Sequence, residues 1–350
     1  MGSKKKGPLA MIWFMVYSVV LFGFCSCSAH TSDVPADKTR AETYKTRAEI
    51  DAGMPELEET ISNELSANQM IYFAIALVDG KEVFFEQVIG AAEEYALQAG
   101  SNSKSLSAFG ALELVQEGAM ELDAPLKNYV NTPYLDNPVA AEEITLRMCL
   151  NHTSGIADDP TGTNRTVVFP PGKSFHYSGG GFAYFQQAAE DTTGIPYAQY
   201  MQEAVLSPLA MNGSTFVWDW LGNVIVLAAA SLHSPATELA LFFAELIDPS
   251  PKNEFVVGQM IKPSVSVTGN LSSGLDWGLG VGIYQDLGPV YWHWGSNFGF
   301  YHSLVVVVPS TNIGIAVMAG GCESLDPLRT IVQSAIGGPD RLYWMEVPTN

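Results

Sequence analysis

The sequence predicts an α/β protein of the α+β kind: an antiparallel sheet flanked by helices, built from both chain ends, with a mainly helical lobe inserted between them. Three observations carry this. Strand-like runs flank a turn near the start, helical periodicity dominates from Ser101 to about Leu246, and strand character returns after about Gly274. Taken in order, Arg40 to Asn68 is charged and helix-compatible, with Met54, Leu57, Ile61 and Leu65 as its apolar stripe. Ile71 to Val78 and Glu82 to Ile89 surround Asp79-Gly80, a strong short-range hairpin signal. Leu106, Phe109, Leu112 and Val115 then recur at helical spacing, an amphipathic pattern that begins at Ser101 and that Gly118 stops. Ser234-Pro235 reads as an N-cap and first-turn pair before Leu239, Phe242, Phe243 and Leu246. The later strands are Gly278 to Tyr284, Val290 to Trp294, His302 to Val308 and Ile313 to Met318, and a helix over Leu325 to Ile336 closes the fold. Gly278-Leu279-Gly280-Val281-Gly282 lacks both the spacing and the following helix of a nucleotide loop, so it reads as close backbone packing.

With 350 residues and 47% hydrophobic content the chain can bury a sizeable core, as one large domain or two closely joined lobes. The expected layout is a signal at 1–28, a linker at 29–50 and one domain at 51–340, its helical lobe covering about 101–250. Lys4, Lys5 and Lys6 precede an apolar run from Leu9 to Cys25 that meets Ser26-Cys27-Ser28, the pattern of an export signal. Three outcomes stay open: cleavage, lipidation at Cys27 behind an imperfect lipobox, or an uncleaved anchor, since a span needs about 17–25 apolar residues. The expected location is thus exported: periplasmic, secreted, or membrane-associated through the N-terminal segment. Without the signal's three lysines the formal charge moves from −20 to −23, which repels phosphate and argues against a nucleic-acid partner. Only Cys149 and Cys322 lie in the body, and two buried free thiols are expected rather than a disulfide framework.

Ser101-Asn102-Ser103-Lys104 places a hydroxyl and an amine one helical turn apart. A serine hydroxyl needs a base within reach to become a nucleophile, and a lysine whose charge is disfavoured by burial can serve. The spacing alone is weak, because Ser3 and Lys6 share it. Ser101 stands out because it opens a buried helix, where free N–H groups and the dipole favour developing negative charge. Three further motifs follow it: His152-Thr153-Ser154-Gly155, then Pro171-Gly172 leading to Tyr177-Ser178, then His293-Trp294-Gly295-Ser296.

In that order these motifs resemble the serine β-lactamase and penicillin-binding superfamily, specifically its class C, D-alanyl-D-alanine carboxypeptidase and esterase-like branch. The resemblance runs from Met54 to Ile336 and includes Leu122-Asp123-Ala124-Pro125 and Pro208-Leu209-Ala210-Met211. It implies Ser101 as acylated nucleophile, Lys104 as proton acceptor or electrostatic partner, and Tyr177 as second acid/base group. It further implies that His293 and Gly295 line a substrate strand, and that the backbone N–H groups of Ser101 and Ser296 form an oxyanion hole. A tyrosine near a lysine ammonium should ionise below its usual value of about 10. His152 is expected only to fix loop geometry.

Departures bear on the substrate. Gly179 stands where many relatives have an asparagine, removing an amide that would hold an acylamide group, and His293 stands in place of a lysine. A histidine of ordinary pKa, about 6.5, would hold a carboxylate only at low pH. The stretches Gly90 to Ser101 and Asn212 to Ala228 are shorter than is usual in the family. The expected function is an exported serine hydrolase acting on esters, D-amino-acid peptides such as cell-wall peptides, or β-lactams, with the first two preferred. The alternative is a catalytically silent binding or scaffold protein that kept the fold. No G-x-S-x-G elbow and no H-E-x-x-H or C-x-x-C ligand set occurs, so neither an α/β-hydrolase, a metal nor another cofactor is expected.

Overall fold

A computed structural model describes residues 43–90, 96–220, 222–267, 274–285 and 287–338. The signal region with Cys27, and most of the expected linker, lie outside the described residues. Eight strands form one antiparallel sheet: β1 (Tyr72–Asp79), β2 (Glu82–Ile89), β7 (Val265–Ser266), β8 (Leu275–Trp277), β9 (Gly282–Tyr284), β10 (Val290–Asn297), β11 (Tyr301–Val308) and β12 (Ile313–Gly320). Their order is β2-β1-β12-β11-β10-β9-β8-β7, so the N-terminal hairpin completes the sheet made by the C-terminal part. The two-residue strands β3 (Leu97–Gln98) and β6 (His233–Ser234) pair beside it, and β4 (Trp218–Trp220) and β5 (Asn223–Ile225) form a small hairpin. Gly80 turns the first hairpin at φ +54°, where a side chain would be strained.

Alternation along the central strands assigns each face its own core. Ala74, Ala76, Val78, Val305, Val307, Ala316 and Met318 pack against the helical lobe. Phe73, Ile75, Leu77, Leu304, Val306, Ile315 and Val317 pack on the other face, with Leu57 and Ile61 of α2 (Met54–Ala67) and Leu328, Ile331 and Val332 of the C-terminal helix Asp326–Ile336. The lobe contributes α3 (Ser103–Gln116), α4 (Leu146–Leu150), α5 (Gly179–Thr193) and α6 (Ala236–Ala244).

The structure corrects several expectations. The fold starts before residue 51: Lys45 N–H donates to Ile336 O at 2.8 Å, Tyr44 is buried and bridges to Gly337, and α1 (Arg47–Ala52) opens on a Thr46–Glu49 capping box. Gly53 divides the expected helix over Arg40 to Asn68 into α1 and α2. The helix after Ser101 is not amphipathic. It is buried on all sides from Ser103 to Leu114, because its serines are satisfied by surrounding loops: Ser105 Oγ donates to Gly280 O at 2.7 Å and Ser107 Oγ to Ala228 O at 2.6 Å. The strand expected over Gly278 to Tyr284 is extended only from Gly282. Before it the chain turns, Gly278 N–H to Val281 O at 2.9 Å, and Gly280 (φ +76°) abuts α3, where a Cβ would lie 2.4 Å from Ala108 Cβ. That contact keeps the G-x-G-x-G run a packing element. Ser234 lies in β6, leaving Pro235 as the N-cap of α6 without a side-chain cap bond.

Cys149 and Cys322 are both free and buried. Among the described residues no helix is long and apolar enough to cross a membrane, and no group of His, Cys, Asp and Glu could hold a metal.

Candidate active site

Ser101 sits in a single 3-10 turn, Gly100–Asn102, that leads into α3, so Lys104 follows on the first turn of the helix proper. The Lys104 ammonium donates to Ser101 Oγ at 2.9 Å and to Ala229 O at 3.0 Å, and it stands 4.8 Å from the centre of the Tyr177 ring. Lys104 is 2% exposed. Burial pulls its pKa down to about 8, against an opposing contribution from the Asp158 carboxylate. Near neutral pH a useful fraction of this amine is therefore free to accept a proton.

The Tyr177 hydroxyl is buried beside Ser101 without a well-formed hydrogen bond, although the serine hydroxyl offsets a little of its burial penalty. The expectation of easier ionisation is overturned. Burial, reinforced by Asp158, pushes the phenol well above its usual range. Lys104, 4.8 Å from the ring centre and itself easily neutralised, does not compensate for this burial. Burial thus favours the protonated phenol, a proton donor.

His152 holds Tyr177 in place. Its ring lies 4.3 Å from the tyrosine ring, its Nδ1 accepts from Ser178 N–H at 3.1 Å, and its carbonyl accepts from His176 N–H at 2.7 Å. The backbone of His152 adopts φ +60°, so the turn is specialised. Burial together with Lys104 and His293 keeps its pKa well below the ordinary value, and the ring is neutral.

On β10, Gly295 and Ser296 close against the Ser101 turn. A Cβ on Gly295 would lie 2.1 Å from Ala99 O and 2.9 Å from Ser101 N, and one on Gly100 would lie 3.0 Å from Ser296 N. These approaches bring the backbone amides of Ser101 and Ser296 to the seam between turn and strand, where the sequence leads one to expect an oxyanion hole. Gly295→Ala has no room to be accommodated without parting strand and turn. We expect kcat to fall by about 10²–10³, the usual cost of a lost oxyanion donor, with destabilisation of about 1–3 kcal/mol from overpacking. Steady-state kinetics alongside thermal melting check this, and a variant with native kcat would remove the amides from the reaction.

His293 shares the face of Gly295 but does not act as a charged group. It is fully buried, its Nδ1 lies 2.6 Å from Trp294 O, and Trp277 packs 5.3 Å away. Burial, then the charge of Lys104, drive its pKa down to about 3. The expected pH-dependent hold on a substrate carboxylate near pH 6.5 is therefore corrected: His293 stays neutral, donates through Nδ1 to the Trp294 carbonyl, and offers at most the acceptor Nε2.

The start of α5 explains the glycine after the tyrosine. A Cβ on Gly179 would meet Pro160 Cα at 2.9 Å and one on Gly180 would meet Ala157 O at 2.4 Å. The loop after the His-Thr-Ser-Gly turn fills the space a side chain at 179 would occupy, and Asp158 Oδ1 from that loop accepts from Gly179 N–H at 2.6 Å. Sequence reasoning missed Asp158, Trp277 and the positioning role of His152 toward Tyr177. No motif marks Asp158 or Trp277, whereas the His-Thr-Ser-Gly motif was a usable signal for His152.

A family model described as Beta-lactamase matches residues 57–327. A curated relative, "Protein flp" of Staphylococcus aureus (strain MW2), is 24% identical over 188 residues, covering 46% of this chain and 38% of that protein. The matched region thus spans well under half of that relative's length. Among solved structures, an octameric penicillin-binding protein homologue from Pyrococcus abyssi superposes with TM-score 0.67 at 22% identity, covering 80% of this chain and 76% of that one. A D-stereospecific amidohydrolase from Streptomyces sp. gives TM-score 0.63 at 19% identity, covering 79% of this chain and 98% of the other. These two likenesses concern the fold.

Proposed function

Because the chain belongs to the beta-lactamase family, whose fold supports serine-hydrolase chemistry on amides and esters, we propose that it hydrolyses esters or peptide amides through an acyl-enzyme on Ser101. The observation that carries this reading is the buried Lys104 amine, with its lowered pKa, 2.9 Å from Ser101 Oγ. In the proposed reaction neutral Lys104 takes the hydroxyl proton as Ser101 Oγ bonds to the acyl carbon, and the N–H groups of Ser101 and Ser296 receive the oxyanion. Tyr177, held protonated by its burial, donates to the leaving alkoxide or amine. Water then attacks the acyl-enzyme, its proton passing through the same pair, and the acid leaves.

Esters and peptides are favoured over β-lactams on two grounds. His293 carries no charge to hold a β-lactam carboxylate, and Pro160 fills the space beside Gly179. The test is to treat the folded protein with a fluorophosphonate and, separately, a fluorescent penicillin, and to locate the adducts by peptide mass spectrometry. Phosphonylation of Ser101 with slow or absent penicillin labelling is expected. A folded protein that stays intact under both probes would instead be a silent scaffold. Export belongs to the same proposal and is supported by Lys4 to Lys6, the apolar run from Leu9 and Cys27. If Cys27 is lipidated, Cys27→Ser should move the protein from the membrane to the soluble fraction with activity intact; unchanged fractionation would exclude that anchor.

A further inference from the structure

The proposed chemistry leaves open what the acyl donor looks like beside the scissile bond. On that point one exposed and fixed carboxylate bears. The loop that follows the His-Thr-Ser-Gly turn carries Asp158, whose side chain is exposed and whose Oδ1 is fixed by Gly179 N–H at 2.6 Å. Gly179 is two residues from Tyr177, and the loop is pressed against the first turn of α5 by the contacts of Pro160 and Ala157 with Gly179 and Gly180. The exposed carboxylate is thus fixed beside the first turn of α5 by a backbone hydrogen bond.

The cation on the same loop is turned to other partners: Arg165 lies over the Tyr134 ring and donates to Gly162 O at 3.0 Å. Among the described residues, Lys104 is the one cation whose field reaches His152 and His293, and it is buried and engaged with Ser101 and Ala229. His152 and His293 are both neutral. The Asp158 carboxylate is near enough to act on both Lys104 and Tyr177. A substrate reaching Ser101 past this loop meets a fixed, exposed negative charge, within a chain of net charge −20.

We propose that Asp158 is a specificity-determining residue that selects acyl donors carrying an amine or other cationic group close to the scissile carbonyl and disfavours anionic ones. This rests on the hydrolase reading above. Asp158 takes no part in bond making; its carboxylate pairs with the substrate cation while Ser101, Lys104 and Tyr177 perform the acyl transfer.

The test uses esters of nearly equal shape and different charge. The p-nitrophenyl esters of trimethylglycine (cationic) and 3,3-dimethylbutanoic acid (neutral) differ by replacement of one carbon by nitrogen, and the p-nitrophenyl hemiester of succinic acid is anionic. A choline ester places the cation on the leaving side instead. Comparing each kcat/KM ratio between wild type and variant cancels the intrinsic reactivity of the esters. In Asp158→Asn, which keeps an oxygen for Gly179 N–H, the cationic-to-neutral ratio should fall by about fivefold, the scale of an exposed ion pair, and the anionic ester should gain. Asp158→Glu should recover part of the preference, and added salt should weaken it in wild type alone. Whichever cationic ester loses its advantage shows the side of the bond that Asp158 reads. Unchanged ratios with normal turnover of the neutral ester would overturn the assignment of Asp158 and leave the hydrolase reading standing. Absence of turnover of every ester by folded wild type would overturn both.

Discussion

Ser101→Ala should keep its fold and lose acylation altogether. The hydroxyl is half-buried at the mouth of the helix and accepts from Lys104, and it is a single small group, so its deletion leaves no large cavity. Fluorophosphonate labelling should vanish, and ester turnover should drop to the rate of the uncatalysed reaction. Tyr177→Phe should be less severe, at about 10²–10⁴, because the ring still packs against His152 and Trp294 while the leaving group loses its proton donor. The double variant should be no worse than Ser101→Ala, since the groups act as one unit. Near-normal turnover in Ser101→Ala, with the melting temperature unchanged, would remove Ser101 from the mechanism.

The residues in this prediction were visible in the sequence; their electrostatic state was not. The spacing of Ser101 and Lys104 already puts the two side chains on one side of a helix, and the Asp79-Gly80 turn fixes which strands pair first. Alternation along β10 also puts His293 and Gly295 on the same face. What a sequence does not state is what covers a face. From the sequence His293 reads as a substrate-strand histidine of ordinary pKa, because nothing local announces that Trp277, from a strand two places away in the sheet, packs against it. Tyr177 was misjudged for the same reason: the neighbouring amine was legible and the burial was not. Asp158 belongs to a loop with no periodicity, and it reaches the start of the helix that follows Tyr177 only because Gly179 and Gly180 allow the backbones to touch. Tyr44 gives no signal in the sequence because, among the described residues before α2, only it and Ile50 are buried, too few to make a pattern.

Lys104 governs both the pH profile and a trade of stability against activity. With a pKa lowered to about 8, log kcat/KM for a neutral ester should climb with a slope near one below pH 8 and level off above it, as the free amine becomes the dominant form. The neighbours do not blur this step. His152 and His293 are neutral throughout, and burial keeps the Tyr177 phenol protonated. Removing the Asp158 charge should shift the step to lower pH, because that carboxylate favours the ammonium. The same burial has a cost to the fold. The amine titrates near 8 when folded and near 10.5 when unfolded, so between those values the unfolded chain binds more protons and stability rises with pH. Below about pH 8 the full penalty of burying the charge is present. Lys104→Met, which fills most of the same volume, should therefore be inactive yet more stable than wild type at pH 7, by on the order of 1–3 kcal/mol after the lost bonds to Ser101 and Ala229 are counted. That advantage should shrink as pH approaches 10.5. Urea melts of both proteins at pH 7 and pH 10, together with the ester pH profile, decide the matter: a flat profile between pH 6 and 9, with Lys104→Met less stable at pH 7, would mean that Lys104 is a charged structural residue and that another group deprotonates Ser101.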